Sequence, residues 1–430
     1  MKSLLDKVKA KLNAQEGFLK SVAVLVGGTA FAQLLAILVL PILTRLYTPE
    51  EFALFAVYSS ILNILIVISC LRFEIAIPLP KDDETAFFLF ILALLSNIFI
   101  TTLIVLLIFF FQDPFLNFIQ QPQLKAFIWF IPIGVFFAGL YTALQYWNTR
   151  KRNFNVIAKT RLKQSVGSSL VQVGGGFGGL STVGLILGHL MKFSVGTMSL
   201  FITLRADIKY LLRKVTISKL KESWKKYDKF PKYSSFEALA NSAAIQLPVI
   251  IIAAVAVGPE AGYLMLSMQV MAMPMSLIGG AIGQVYLAHA PEYYDKGELK
   301  QYTVQTIKQI SKIALVPLLM IGISAPFIFP LVFGTAWANA GHMLLWMTPW
   351  FIMQILSSPV SMSLHITGSQ KIALSLQILG LLIRVGGLLL ISISHPELSF
   401  KYYAISGFVF YSIYLYIIFL VLEKNIKILK

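Results

Sequence analysis

TAFFLFILALLSNIFITTLIVLLIFFF, residues 85–111, contains no ionisable residue, no glycine and no proline. A helix of this length rises ~40 Å, more than the ~30 Å of hydrocarbon in a bilayer. Outward from it, eleven further apolar segments give twelve in all: roughly 20–44, 52–79, 85–111, 125–147, 155–178, 182–204, 235–257, 262–288, 309–333, 340–366, 371–393 and 402–422. Segment 155–178 is a weak one, because it opens with Lys159, Arg161 and Lys163. Segment 309–333 holds Pro317, Pro326 and Pro330 and is expected to kink. The fold class is therefore all-α: a polytopic membrane protein of twelve transmembrane helices.

Composition agrees. Of 430 residues 57% are hydrophobic and 13% charged, with a mean hydropathy of +0.77. A soluble domain carries about 25% charged residues, so disorder, collagen, a disulfide scaffold and an ordinary soluble enzyme are excluded. Cys70 stands alone within an apolar segment, so no internal disulfide exists. The basic N-terminus precedes an apolar run without a small-residue cleavage site and reads as a retained helix.

The net charge of +17 follows topology rather than nucleic acid. With the N-terminus inside, the inner side holds 30 of the 36 Lys and Arg residues, and the outer loops hold only Arg45 and Lys401. Arg72, Lys125, Lys192 and Arg384 lie within or at the ends of helices. Both termini are expected on the inner, cytoplasmic side. The inner loop near 205–234 carries Tyr210, Leu211, Leu212, Val215, Leu220 and Trp224 among its lysines, the pattern of a basic amphipathic helix on the membrane face.

That loop falls at the middle of the chain, and a short repeat supports the halving. Pro49-Glu50-Glu51-Phe52 and Pro259-Glu260-Ala261-Gly262 both open a helix from an outer loop, 210 residues apart. Proline and glutamate suit a first helical turn. Two lobes of six helices, related by a pseudo-twofold axis along the membrane normal, are the expected architecture. The expected boundaries are a cytoplasmic amphipathic segment 1–19, a first lobe 20–204, a basic linker 205–234, a second lobe 235–424 and a tail 425–430.

Ionisable groups inside membrane helices cost about 3 kcal/mol each and mark function. Arg72, Lys192 and Arg384 are the candidate substrate-binding residues, and Glu74, Glu237 and His189 the candidate ion-coupling residues. Arg72 can also be read as reaching to headgroups, Arg384 as half of a structural pair, and His189 as a packing residue. Two apart on a helix, Arg72 and Glu74 are not expected to face each other. An excess of cations facing a cavity between the lobes would favour an anionic cargo such as a phosphate or diphosphate head group.

Other motifs fail on context. Gly174, Gly176 and Gly179 spell GxGxxG but end a helical segment instead of following a strand, so tight helix packing or a flexible break is the reading. Asp82-Asp83-Glu84 reads as a helix cap with favourable charge. Five scattered histidines and one cysteine offer no metal site, and no cofactor or catalytic residue is expected.

At Leu71-Arg72-Phe73-Glu74-Ile75-Ala76-Ile77-Pro78-Leu79-Pro80 the sequence resembles the Wzx-type O-antigen and polysaccharide flippases of the multidrug/oligosaccharidyl-lipid/polysaccharide exporter superfamily. Leu46-Tyr47-Thr48-Pro49-Glu50-Glu51-Phe52 is similar to that family's first outer loop, although the family often has glycine where Ala53 stands. The resemblance implies a monomeric inner-membrane transporter of lipopolysaccharide and polysaccharide assembly. Its cargo would be an undecaprenyl-diphosphate-linked oligosaccharide, moved from the cytoplasmic to the periplasmic leaflet by alternating access. A proton or sodium gradient would drive it, and a polysaccharide polymerase and chain-length proteins would be its partners. A cation-coupled multidrug exporter of the same superfamily is the rival, expected to present membrane acids. A membrane glycosyltransferase, polymerase or ligase would need a sizeable outer loop bearing acids or histidine. The longest here, around 112–124, has only Asp113 as an ionisable residue.

Overall fold

The computed structural model describes the backbone of residues 27–256 and 258–429, and their side chains except at 205–212, 281, 284, 288 and 425–429. The segment 1–19 and the start expected for the first helix lie outside the described residues. Among these residues there are helices and turns and no strand. Ten helices are long and apolar enough to cross a membrane. They correspond to the expected segments except 155–178 and 340–366, which are also helical but less apolar.

The chain runs through α1 (Gly27–Leu46), α2 (Pro49–Ile68), the single turn α3 (Phe73–Ala76), α4 (Asp83–Phe118), α5 (Phe130–Arg150), α6 (Phe154–Phe177) and α7 (Thr182–Leu212). The short α8 (Ile217–Lys226) leads into α9 (Ser235–Val255), α10 (Glu260–Pro274), α11 (Gly280–Asp295), α12 (Leu299–Phe333) and α13 (Ala338–Ser357). Then come the one-turn α14 (Ser363–Ile366), α15 (Gln370–Leu381), α16 (Gly387–Ser394) and α17 (Ser399–Leu429). Five-residue π-helical turns join α10 to α11 and α15 to α16, the second centred on Arg384.

Three expectations are corrected. The segment 52–79 is not one helix. It stops at Ile68, passes through Leu71 and Arg72 in the left-handed region (φ 48° and 62°), resumes for one turn and ends before Pro78. The segment 340–366 also breaks, after Ser357 and at Pro359, here through a run of turns without a left-handed residue. The inner loop is shorter than its expected span 205–234, because α7 continues to Leu212 and only α8 stands apart. By contrast α12 continues through Pro317, Pro326 and Pro330 as one helix of 35 residues, nearly matching the 36 of α4.

Packing divides the molecule by depth. At the end carrying the basic loops there are two separate cores. One, around Phe73, Phe87, Trp147 and Leu204, is built only from the first half of the chain. The other, around Tyr286, Leu364, Phe410 and Ile418, is built only from the second. Towards the opposite end a single core takes residues from both halves, Phe52 and Leu62 with Leu264, Trp337 and Leu344. The two halves are therefore joined at one end and parted at the other.

The junction is specific. Trp337 donates its indole N–H to the Thr44 carbonyl at 2.9 Å and meets Phe52 edge-on, ring centroids 4.9 Å apart. Gln121 donates to the Ala253 carbonyl at 2.8 Å. The two repeat copies touch: a Cβ on Gly262 would stand 2.1 Å from the Pro49 carbonyl oxygen, so only glycine lets α10 lie this close to α2. Apolar burial gives little drive between helices in lipid, so such close contacts and interhelical hydrogen bonds carry the association. Thr48 and Glu51 form a reciprocal capping box that fixes where α2 starts.

Candidate functional site: a cationic cavity

Where the halves part, a cavity of about 650 Å³ opens between α1, α2, α5, α6 and α7 of the first half and α10 of the second. Its charged lining comes from two helices. Arg161 projects from α6 and Lys192 from α7, with His189 one turn before Lys192. Among the described lining residues there is no aspartate or glutamate. Lys192 is exposed while its neighbour Leu190 is buried, because the cavity reaches it deep inside the bundle. Its ammonium lies 5.9 Å from the Phe193 ring centroid.

Local hydrogen bonds set these side chains in place. Gln164 donates to the Lys192 carbonyl at 2.9 Å and ties α6 to α7. Arg161 donates to the Thr29 hydroxyl, and Ser165 donates to the Ala32 carbonyl at 2.7 Å, both joining α6 to α1. His189 packs against the rings of Phe55, Tyr58 and Phe193 at 5.6, 6.4 and 5.4 Å, and its Nδ1 has no hydrogen-bond partner among the described residues. A cavity with two basic side chains, no carboxylate among its described lining residues and low-dielectric walls favours an anion over a cation.

The cavity gathers only Lys192 and His189 of the six residues singled out from the sequence. Arg72 and Glu74 lie outside its lining and pair with each other at 3.5 Å. That corrects the expectation that they would not face one another. The spacing rule assumes a continuous helix, and the left-handed turn at Leu71 and Arg72 brings the two side chains together. Arg384 is buried at 3% exposure and also lies outside the lining. Its guanidinium sits 4.4 Å from the Trp350 ring centroid and 5.0 Å from that of Tyr403, and donates to the Tyr403 hydroxyl at 2.9 Å. Glu237 is exposed in the first turn of α9.

Sequence reasoning missed Arg161, which it counted with the basic flank of a weak segment. The signal was present: Arg161, Gln164, Ser165, Ser168 and Gln172 recur at helical spacing and form one polar stripe along α6, all of it on the cavity.

Two further motifs have structural roles. The acidic run Asp82-Asp83-Glu84 does cap α4, Asp82 accepting the Thr85 amide N–H at 2.7 Å. That hydrogen bond holds the Asp82 carboxyl below the usual carboxylate range. The run also binds neighbours: Asp83 pairs with Arg150 and Lys151 at 2.9 and 2.8 Å, and Glu84 pairs with Lys214 and with Lys219 at 3.8 Å. Glu84 thereby fastens the α8 region, whose Trp224 ring stands 5.0 Å from Phe73. The glycine run serves close packing, since a Cβ on Gly175 would come within 2.8 Å of Gly184 Cα.

The profile of a family described as "Polysaccharide biosynthesis protein" matches residues 42–341. Among solved structures, the lipid II flippase MurJ in an inward closed conformation is similar over 94% of this chain and 90% of its own, at 14% identity and a TM-score of 0.71. A multidrug resistance MATE family transporter of the MOP superfamily in its inward-facing conformation is similar over 92% of this chain and 96% of its own, at 15% identity and a TM-score of 0.67. An outward-facing conformation of such a transporter covers 95% of this chain and 96% of its own, at 14% identity and a TM-score of 0.52. No match was found among curated protein sequences.

Proposed function

Because the chain belongs to the polysaccharide biosynthesis protein family, we propose that it is a flippase that carries an undecaprenyl-diphosphate-linked oligosaccharide from the cytoplasmic to the periplasmic leaflet. The observation that carries this reading is the cavity lined by Arg161 and Lys192 without any carboxylate among its described residues. A diphosphate brings at least two negative charges and several acceptor oxygens. Arg161 offers a planar fork of donors and Lys192 a point charge, and together they match such a group. Both cations are desolvated in part by the bundle, so a bound anion relieves a cost that the empty cavity bears.

Direction follows from the basic loops. The parted end carries Arg150, Lys151 and the lysines of α8, which the positive-inside rule assigns to the cytoplasm. The cavity then opens to the cytoplasm, and the shared core around Phe52 and Trp337 seals the periplasmic side. Transport requires that this seal part while the separate cores of the two lobes, 20–204 and 235–424, come together. Both termini face the cytoplasm of a bacterial inner membrane in this scheme. A fold shared with a lipid II flippase supports a lipid cargo. A proton or sodium gradient would reset the cycle, with Glu74, Glu237 and His189 as the candidate groups. An exporter of organic cations is the second reading, favoured by the likeness to MATE transporters, and it calls for a carboxylate in the cavity.

Deleting the protein should leave lipid-linked saccharide accumulating on the cytoplasmic side, with surface polysaccharide lost. Wild-type protein should restore the surface polymer. Arg161→Glu/Lys192→Glu should not, and a normally expressed double variant that restores it fully would overturn the assignment.

A further inference from the structure

The cavity contains more than its cations. Asn63 of α2, Gln145 of α5 and Gln269 of α10 all line it, and no hydrogen bond joins their side-chain amides to another described residue. Other amides in the same bundle are used differently. Asn97 donates to the Phe136 carbonyl at 2.9 Å, Gln121 to Ala253 at 2.8 Å and Gln164 to Lys192 at 2.9 Å, each bonding a neighbouring helix. Amides in membrane helices commonly serve as such glue. Asn63, Gln145 and Gln269 do not, and each is half-buried against the cavity.

An amide presents a paired donor and acceptor, fixed in one plane, and carries no charge. Neighbouring hydroxyls on a sugar ring present the complementary pair. Tyr141, one helical turn before Gln145 on the same face of α5, adds an aromatic surface to the same wall. The three amides come from three helices, two in the first half of the chain and one in the second, so a ligand bonded to all of them bridges the halves. A lipid tail has no use for such groups, and a phosphate is served better by Arg161 and Lys192.

We infer that Asn63, Gln145 and Gln269 form a saccharide subsite that reads the sugar hydroxyls of the cargo, separate from the Arg161–Lys192 subsite that takes its diphosphate. This inference rests on the function proposed above. It makes these amides the residues that set sugar specificity, while the cations set affinity for the part every such lipid shares.

The test uses the purified full-length protein in detergent and two probes: undecaprenyl diphosphate, and the lipid-linked saccharide that accumulates in the deletion strain. Affinities are read by thermophoresis. Each amide hydrogen bond is worth about five-fold, so Asn63→Leu/Gln145→Leu/Gln269→Leu should weaken the saccharide lipid about 100-fold. Binding of undecaprenyl diphosphate should hold at the wild-type level. Arg161→Gln/Lys192→Gln should weaken both. Wild-type affinity for the saccharide lipid in the triple variant, or equal loss of both probes, overturns the inference. If the deletion strain accumulates no such lipid, the proposed function itself fails instead.

Discussion

Asp82 shows how one side chain can be tested at a helix start. Its carboxylate accepts the Thr85 N–H, which lowers its folded pKa. A lowered carboxylate contributes stability above its unfolded pKa of about 3.9 and loses it as pH falls through the folded value. Asp82→Ala should therefore cost about 1 kcal/mol at neutral pH. The penalty should fade in acid below that range. Asp82→Asn, which caps without titrating, should melt like wild type at neutral pH and keep its cap in acid. Thermal unfolding followed at neutral and at strongly acidic pH measures both, and a neutral-pH melt of Asp82→Ala identical to wild type would remove the cap from the account.

Lys192 and Arg384 are the instructive pair at this scale. Each is a cation in an apolar helix, and the sequence exposes that much. Whether the charge meets water or an aromatic cage depends on Trp350 and Tyr403, which lie on other helices. No pattern along the chain reports that, so direction was not legible where charge was.

Among elements, helix existence was legible and helix continuity was not. Apolar length marks a helix wherever it lies, because the bilayer demands it. The break after Ile68 has no glycine to announce it; two non-glycine residues, Leu71 and Arg72, adopt the left-handed conformation. The α2–α10 contact was half legible. The repeat marked both helix starts, while the need for glycine at 262 follows only from the Pro49 carbonyl opposite it. The expected glycine at position 53 is absent, and the one that permits close approach stands on the facing helix. Gly262→Ala should push α10 off α2 and weaken the sealed end. With Cys70→Ser as background and Ser59→Cys in the cavity wall, a membrane-impermeant maleimide applied from outside should label Gly262→Ala several-fold faster than its parent. Equal labelling would place the seal elsewhere, with Trp337 and Thr44.

At the scale of the whole molecule, two cores at one end and one at the other leave two bodies joined at one end and parted at the other. The halving of the chain was legible from helix count and repeat. Which end is joined and which is parted was not, since that depends on contacts between helices far apart in the chain, such as Trp337 with Thr44. The positive charge of the cavity was legible only as an excess of cations along the chain. On α6 the site was written only as the polar stripe from Arg161 to Gln172, masked by the topogenic Lys159 and Lys163 beside it.

The third membrane segment of each half is overlong: α4 and α12 hold 36 and 35 residues. Each is about 53 Å long against a hydrocarbon slab of about 30 Å, so both must lean steeply or stand proud of the surface. Their apolar stretches, 85–111 and 309–333, exceed the slab by about 10 Å, so acyl-chain length becomes a load on the junction between the halves. Reconstituted into bilayers of graded thickness, the protein should therefore change its turnover with lipid chain length, and the host's lipid composition becomes a setting on the machine.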